Sequence, residues 1–324
     1  YDNVGQSLHD ASRLWRYPSG TNPAHAPYLV DRRRAVLGGD GSMQIKRLSD
    51  ALGAEITGVD VADIDDVEFA EIHAAFLEHQ LLVFRYQALE PEPHIEFSKR
   101  FGAIETRPER PFTLPGYPEV SVLSNRMVEG KPVGVLSAGD FWHTDLSFGE
   151  IPCRATFLHA LEVAEEGGDT EWSNIYSAYD TLSNDMKARI ADLRCTHVFD
   201  RRRNRRAQVD AQFADKADEI YGVTVPDAVH PMVRQHPETG RKSLYISPRF
   251  VVGVEGMDDY EAQPLLDELF EHQIELKFRY RHTWRQGDLL MWDNPCLIHI
   301  GRGDIKSPGI RHMHRTMVLG DRPH

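Results

Sequence analysis

From Met43 onward the sequence is a succession of short β-like segments with a few helical stretches among them and no strand–helix–strand rhythm. Parallel neighbours need a crossover of a dozen or more residues, usually helical, so a chain without that rhythm is restricted largely to antiparallel sheets. The fold class expected is mainly β with flanking helices, as a β-sandwich or jelly roll. Ala54 to Val59 reads as a half-buried strand and Leu81 to Arg85 as a fully buried one; Val120, Ala155 to Leu161 and Glu171 to Ile175 mark others. Helical spacing of apolar residues covers Asp66 to His79, Pro91 to Phe101, Ser177 to Leu193 and Asp258 to His272. Lys277 to Leu319 reads as three strands, separated by Gly287-Asp288 and by Gly301 to Gly309.

Residues 1–42 differ from the rest. They hold Pro18, Pro23, Pro27, a basic Arg32-Arg33-Arg34 and the run Gly38 to Ser42. This N-terminal arm reads as an extension docking on a neighbouring subunit through Leu14, Trp15 and Tyr17, as a fusion remnant, or as a misassigned start. Residues 43–324 form the single domain expected.

A net charge of −13 argues against a nucleic-acid surface as the main business. Three widely spaced cysteines, Cys153, Cys195 and Cys296, suggest no disulfide framework, so the reducing cytoplasm is the expected location. No apolar run approaches the roughly 18 residues of a membrane span, and the first residues lack the pattern of a secretory signal.

The chemistry concentrates in two places. His143-Thr144-Asp145, if extended, turns one imidazole and one carboxylate to the same face. His299 offers a third ligand after Trp292-Asp293-Asn294. Two histidines and a carboxylate with open positions opposite is the arrangement of non-haem Fe(II) oxygenases. Twelve residues beyond His299, Arg311-His312-Met313-His314-Arg315 as a strand places Arg311 and Arg315 on one face and the two histidines on the other. Guanidinium groups beside a metal are costly unless they meet anions, and Arg is suited to bidentate capture of carboxylates or sulfonates. His312 and His314 are therefore read as structural.

Other motifs admit two readings each. Gly167-Gly168-Asp169-Thr170 is an ordinary hairpin turn, or it delivers the Thr170 hydroxyl to a carboxylate in the cavity. Trp292 and Asn294 are a packed strand end or support for the ligands. Arg201 to Arg206 is a solvated loop or a lid attracting anionic substrates, and His236 to Lys242 is a turn feeding the strand Ser243 to Ile246.

Six motifs in order carry a family resemblance: Trp-His-Thr-Asp at 142–145, Gly-Gly-Asp-Thr at 167–170, and His-Pro-Glu-Thr-Gly-Arg-Lys at 236–242, followed by Tyr-Arg-His-x-Trp-Arg-x-Gly-Asp at 280–288, Trp-Asp-Asn at 292–294 and Arg-x-x-x-Arg at 311–315. From about Met43 to Pro323 the chain resembles the taurine / 2,4-dichlorophenoxyacetate dioxygenase family of Fe(II)- and 2-oxoglutarate-dependent oxygenases. The resemblance implies a double-stranded β-helix, the jelly roll of cupin-like proteins. It implies Fe(II) on His143, Asp145 and His299, the distal carboxylate of 2-oxoglutarate on Thr170 and Arg311, and the acidic group of the substrate on Arg315. The activity implied is hydroxylation of a substrate C–H by O2, with succinate and CO2 as coproducts and C–O or C–S cleavage where the carbon bears a heteroatom. A homo-oligomer, dimer or tetramer, is the assembly implied.

Taurine-type members present a His and a Tyr after the Phe-Gly that ends the early helix, whereas this chain has Arg107 and Arg110 there. That argues against taurine itself. Leu123 to Lys131 and the Tyr-Arg-His-x-Trp segment look closer to the aryloxyacetate branch, so the substrate expected is a small organic anion with an apolar body, an aryloxyalkanoate-like carboxylate or sulfonate. Arg107, Phe250 and Phe199 are candidate pocket residues. Two alternatives use the same residues: a zinc hydrolase with a metal-bound water, and a non-catalytic cupin-like binding module.

Overall fold

A computed structural model describes residues 42–106, 112–135, 139–199 and 225–324. Residues 1–41 of the N-terminal arm, Arg107, Arg110 and the Arg201–Arg206 run lie outside the described residues. In chain order the strands are β1 (Gln44–Arg47), β2 (Ala54–Thr57), β3 (Leu81–Phe84), β4 (Thr113–Leu114), β5 (Tyr117–Ser124), β6 (Met127–Val128), β7 (Lys131–Pro132), β8 (Cys153–Glu162) and β9 (Thr170–Asn174). They continue with β10 (Arg194–His197), β11 (Ala228–Pro231), β12 (Val233–Gln235), β13 (Lys242–Leu244), β14 (Val251–Val254), β15 (Arg279–His282), β16 (Leu289–Asp293), β17 (Leu297–Gly301) and β18 (His312–Leu319). The helices are α1 (Asp66–His79), α2 (Pro91–Lys99), α3 (Ile175–Asp180), α4 (Asn184–Ile190) and α5 (Asp259–Gln273).

Eight strands form one sheet in the order β1-β2-β3-β16-β8-β18-β5-β4, antiparallel except for the β2–β3 pair. A smaller sheet, β15-β9-β17, faces it. Strand alternation divides the large sheet's side chains between two layers. Leu81, Val83, Leu158, Leu290 and Met313 point inward and pack with Trp172 and Leu297 of the small sheet. Phe84, Phe157, Met291 and Val318 point outward and pack under α1 and α2 through Ile72, Phe76 and Phe97. The architecture is the jelly roll expected, with helices buttressing one face.

Helix α1 keeps the expected bounds because its ends are explicit: Asp65 and Glu68 form a capping box, and Gln80 closes it with a φ of 63°. The helix expected over Ser177 to Leu193 is two, because Ser183 caps a new start at α4, its hydroxyl accepting from Met186 N. The C-terminal region holds four strands rather than three. The turn at Asp293–Cys296 carries the chain from β16 in the large sheet to β17 in the small one, so one apolar run is divided between layers. Gly167-Gly168 is likewise no hairpin. It links β8 to β9, which lie in different sheets, and a Cβ on Gly167 would stand 2.2 Å from the Asp304 carbonyl oxygen.

Candidate metal centre and its surroundings

His143, Asp145 and His299 come together between the sheets, each buried, with one potential ligand atom from each within 4.8 Å of the others. They are the one such group among the described residues. His143 Nε2 lies 3.6 Å from Asp145 Oδ1, and His299 Nε2 lies 3.8 Å from Oδ2. A pair of backbone hydrogen bonds, His143 N to His299 O at 2.9 Å and the reverse at 2.8 Å, pins the two histidines although 156 positions separate them.

The expectation that His143 and Asp145 share a strand face needs correction. Only His143 is bridged; the chain turns at Asp145, with Leu146 at a φ of 56°. Thr144 anchors that turn, its hydroxyl donating to Leu297 O at 3.1 Å. The carboxylate thus reaches the site by a turn closed against β17, not by strand alternation.

Each candidate ligand is oriented from behind. His143 Nδ1 lies 2.7 Å from Phe141 O, which places its proton there and leaves Nε2 to face Asp145. The Asp145 backbone N–H donates to Asn294 Oδ1 at 3.1 Å. Asn294 Nδ2 donates to Thr156 Oγ1 at 3.0 Å, and Thr156 Oγ1 donates to Asp145 Oδ2 at 2.6 Å. The His299 ring packs against Trp292, centroids 4.9 Å apart, and stacks with Trp172 at 6.5 Å. Trp292 thus packs on one candidate ligand and Asn294 holds the backbone of another, while Thr156 was not foreseen. Its signal, a Thr amid the apolar residues of β8, is too common to notice.

Asn294 sits on a turn held by buried charge. Asp293 accepts from Arg154 at 3.1 Å and pairs with His236 Nε2 at 3.0 Å, and Arg154 also pairs with Glu238. His236 Nδ1 accepts the backbone N–H groups of Glu238 and Thr239. The 236–242 motif is thus more than a turn feeding β13: it clamps the turn that carries Asn294.

Burial alone would push the Asp145 carboxyl up, but His299, His143 and Arg315 overcome that and hold it well below the usual carboxylate range. Burial, and then neighbouring His143, drives the His299 imidazole down to about 3. A neutral His299 imidazole beside an ionised Asp145 carboxylate suits a divalent metal, which needs its ligands deprotonated.

One cation adjoins this group, and a second immediately precedes the same strand, β18. Arg315 NH1 is 3.8 Å from Asp145 Oδ1. Arg311 reaches the interior beside Gly168, where a Cβ would stand 3.3 Å from Arg311 Cδ. A cavity of about 50 Å³ lined by Val163, Gly168, Thr283, Trp284 and Arg311 adjoins its side chain. The Arg311 guanidinium pairs with no carboxylate among the described residues, its Nε has no partner, and burial lowers it to about 10. An uncompensated buried guanidinium is a place for an anion. Thr170 Oγ1 accepts from Trp284 Nε1 at 3.0 Å, and the Trp284 ring lies 5.6 Å from the Arg311 guanidinium. As expected, His312 and His314 face the other side, where His314 pairs in register with His159 under α2.

The candidate wall residues join through one that was not foreseen. Phe250 lies 6.0 Å from the His143 ring, Phe148 lies 5.1 Å from Phe250, and Phe199 lies 4.8 Å from Phe148. Phe148 follows the metal motif by three residues, and its role depends on the turn at Asp145–Phe148 that brings it back.

The model of one protein family, described as taurine catabolism dioxygenase TauD, TfdA family, matches residues 44–317. An alpha-ketoglutarate-dependent 2,4-dichlorophenoxyacetate dioxygenase from Cupriavidus pinatubonensis is 35% identical over 283 residues, 81% of this chain and 94% of the relative. An (S)-phenoxypropionate/alpha-ketoglutarate-dioxygenase from Sphingobium herbicidovorans is 32% identical over 268 residues, 80% of this chain and 88% of the relative. The crystal structure of a taurine dioxygenase from Burkholderia xenovorans superposes with a TM-score of 0.73 at 33% identity, covering 87% of this chain and 92% of that one.

Proposed function

The chain belongs to the taurine catabolism dioxygenase TauD, TfdA family and is a 2-oxoglutarate-dependent dioxygenase, and on that premise we propose that it oxidises a small organic anion with an aryl body, an aryloxyalkanoate-like carboxylate or sulfonate. The observation that carries this reading is the pairing of a cation and an aromatic wall on the same His/Asp/His group. Arg315 stands 3.8 Å from Asp145, and the Phe250–Phe148–Phe199 array begins 6.0 Å from His143.

The donor set fits Fe(II): two imidazoles and one carboxylate, buried and close enough to share one ion. Bound there, Fe(II) with 2-oxoglutarate and O2 supplies the family's oxidising chemistry, which couples loss of CO2 and formation of succinate to oxidation of a substrate C–H. The side chains do the rest. Thr156 and Asn294 keep the Asp145 carboxylate aimed. Arg311 and Thr170 hold the distal carboxylate of 2-oxoglutarate, the anion that the uncompensated guanidinium lacks. Arg315 holds the acidic group of the substrate, and the three phenylalanines exclude water and orient its apolar body. Hydroxylation at a carbon that bears oxygen gives a hemiacetal, which collapses with C–O cleavage.

The alternatives account for less of the site. A zinc hydrolase or a binding module would use the three ligands but leaves the Arg311 guanidinium, its Nε buried and unpartnered, without an anion. Assembly as a dimer or tetramer and residence in a reducing cytoplasm, with which three buried free thiols agree, complete the proposal; no helix among the described residues is long and apolar enough to cross a membrane.

The test is to add Fe(II) and then 2-oxoglutarate to the metal-free protein without oxygen and record the visible spectrum. A charge-transfer band that requires both additions, and is absent in His143→Ala, is expected. Aryloxy acids and arylsulfonates are then screened by succinate release. No band despite metal binding would sink the site assignment; succinate release with taurine but with no aryl acid would sink the substrate class.

A further inference from the structure

We infer that Trp284 is a positioning residue for cosubstrate binding: its indole N–H commits the Thr170 hydroxyl to donate into the site while its ring supports Arg311. The inference rests on the assignment of Thr170 and Arg311 to the distal carboxylate of 2-oxoglutarate. A hydroxyl has one proton and two acceptor positions, and it rotates to suit its neighbours. An anion needs the proton. Trp284 Nε1, a group that can only donate, lies 3.0 Å from Thr170 Oγ1 and occupies an acceptor position, which turns the proton away from the indole. The same indole lies 5.6 Å from the Arg311 guanidinium, within cation–π range. One side chain therefore touches both groups of the proposed anion site.

The metal side of the molecule uses the same device. Asn294 Nδ2 donates to Thr156 Oγ1, and Thr156 Oγ1 donates to Asp145 Oδ2 at 2.6 Å. There an amide N–H fills an acceptor position of a threonine, and the hydroxyl proton goes to a carboxylate. The carboxylate partner of Thr170 would be the cosubstrate.

Trp284 is itself fixed. It is buried, and its ring meets His282 edge-on at 5.2 Å. His282 Nε2 is 3.0 Å from Asp288 Oδ2, which also accepts from Arg85 at 2.7 Å and from the Arg285 backbone N–H at 2.9 Å. The loop carrying the indole is thus tied at both ends.

Trp284→Phe removes the N–H and keeps an aromatic ring beside Arg311. The Fe(II) protein is titrated without oxygen with 2-oxoglutarate and with 2-oxopentanoate, which has the same carbon chain and no distal carboxylate. Trp284→Phe should weaken 2-oxoglutarate about tenfold, the size of one hydrogen bond to a charged group, and leave 2-oxopentanoate unchanged. Combined with Thr170→Val, it should weaken 2-oxoglutarate no further than Thr170→Val alone. Equal weakening of both oxo acids would show a packing role and overturn the inference. An effect of Thr170→Val with none from Trp284→Phe would overturn it while leaving the anion site standing. No effect of Thr170→Val would remove the anion assignment and this inference together. If Trp284→Phe fails to fold, the Zn(II) protein labelled with 5-fluorotryptophan keeps the question open to measurement. The resonance that moves in Thr170→Val should also move when 2-oxoglutarate binds, and a fixed resonance would overturn the inference.

Discussion

The Thr156 hydroxyl stands 2.6 Å from Asp145 Oδ2 and accepts from Asn294 at 3.0 Å, so an uncharged strand residue fixes the carboxylate of the candidate metal centre. Thr156→Val keeps the volume and removes the donor. Metal affinity should fall roughly 10- to 100-fold, as for lost ligand support elsewhere. Competition between the protein and a chromophoric chelator measures it; an unchanged affinity would mean that the Thr156 hydroxyl does not aim the carboxylate.

Arg311 pairs with no carboxylate among the described residues and its Nε is buried without a partner, so the cost of its substitution should depend on geometry as well as charge. Arg311→Lys keeps the charge and loses the planar fork. Loss of one charge-assisted hydrogen bond, about 1.5–3 kcal/mol, should raise the KM for 2-oxoglutarate by roughly 10- to 150-fold, with little change in the KM for the acidic substrate. Steady-state succinate release at varied 2-oxoglutarate decides it, and a rise confined to the acidic substrate would exchange the roles of Arg311 and Arg315.

Gly139 lies against a candidate ligand at a φ of +84°, and a Cβ there would stand 2.9 Å from His143 Cε1. Gly139→Ala should tilt the imidazole and weaken metal binding at least about tenfold, at a backbone cost of about 1–2 kcal/mol. Chelator competition read beside the melting temperature separates the two effects. Wild-type metal affinity would show that the 139 segment yields instead of His143.

The outer face of β18 carries a pH dependence of known sign. Burial, with neighbouring histidines, drives His94 well below 6.5 and His314 down to about 3. Above pH 6.5 neither folded nor unfolded chain protonates these groups. As pH falls from 6.5 toward 3, the unfolded chain takes up protons that the folded one refuses, and stability is lost at about 1.4 kcal/mol per pH unit for each such histidine. Urea unfolding of the metal-free protein should show His314→Phe losing about 2 kcal/mol less than the wild type between pH 7 and pH 5. Parallel losses in the two proteins would place the sensitivity elsewhere.

Much of the site was legible because its chemistry is written in residue type and order. His143, Asp145 and His299 are the residue types an Fe(II) site needs, and the alternation around Met313 separated Arg311 and Arg315 from His312 and His314. The supporting groups were not legible in that way. Thr156, Arg154, His236 and Trp284 act on residues 11, 139, 57 and 114 positions away in the chain, and such pairings leave no local pattern. The reading of His143 and Asp145 as strand neighbours reached the right convergence by the wrong geometry, since the turn depends on Leu297, in a strand not adjacent in sequence.

By itself the sequence determined a mainly β chain, sandwich or jelly roll, and singled out His143, Asp145, His299, Arg311 and Arg315 as candidates, because apolar periodicity and the donor chemistry of His, Asp and Arg are properties of the residues. Tertiary structure alone decided which hydroxyl aims Asp145, which indole meets Thr170, and how Phe148 joins Phe250 and Phe199 beside His143. Hydrogen bonds and ring contacts act over a few ångströms, and only the packing of one sheet on the other brings residues so far apart in the chain within that range.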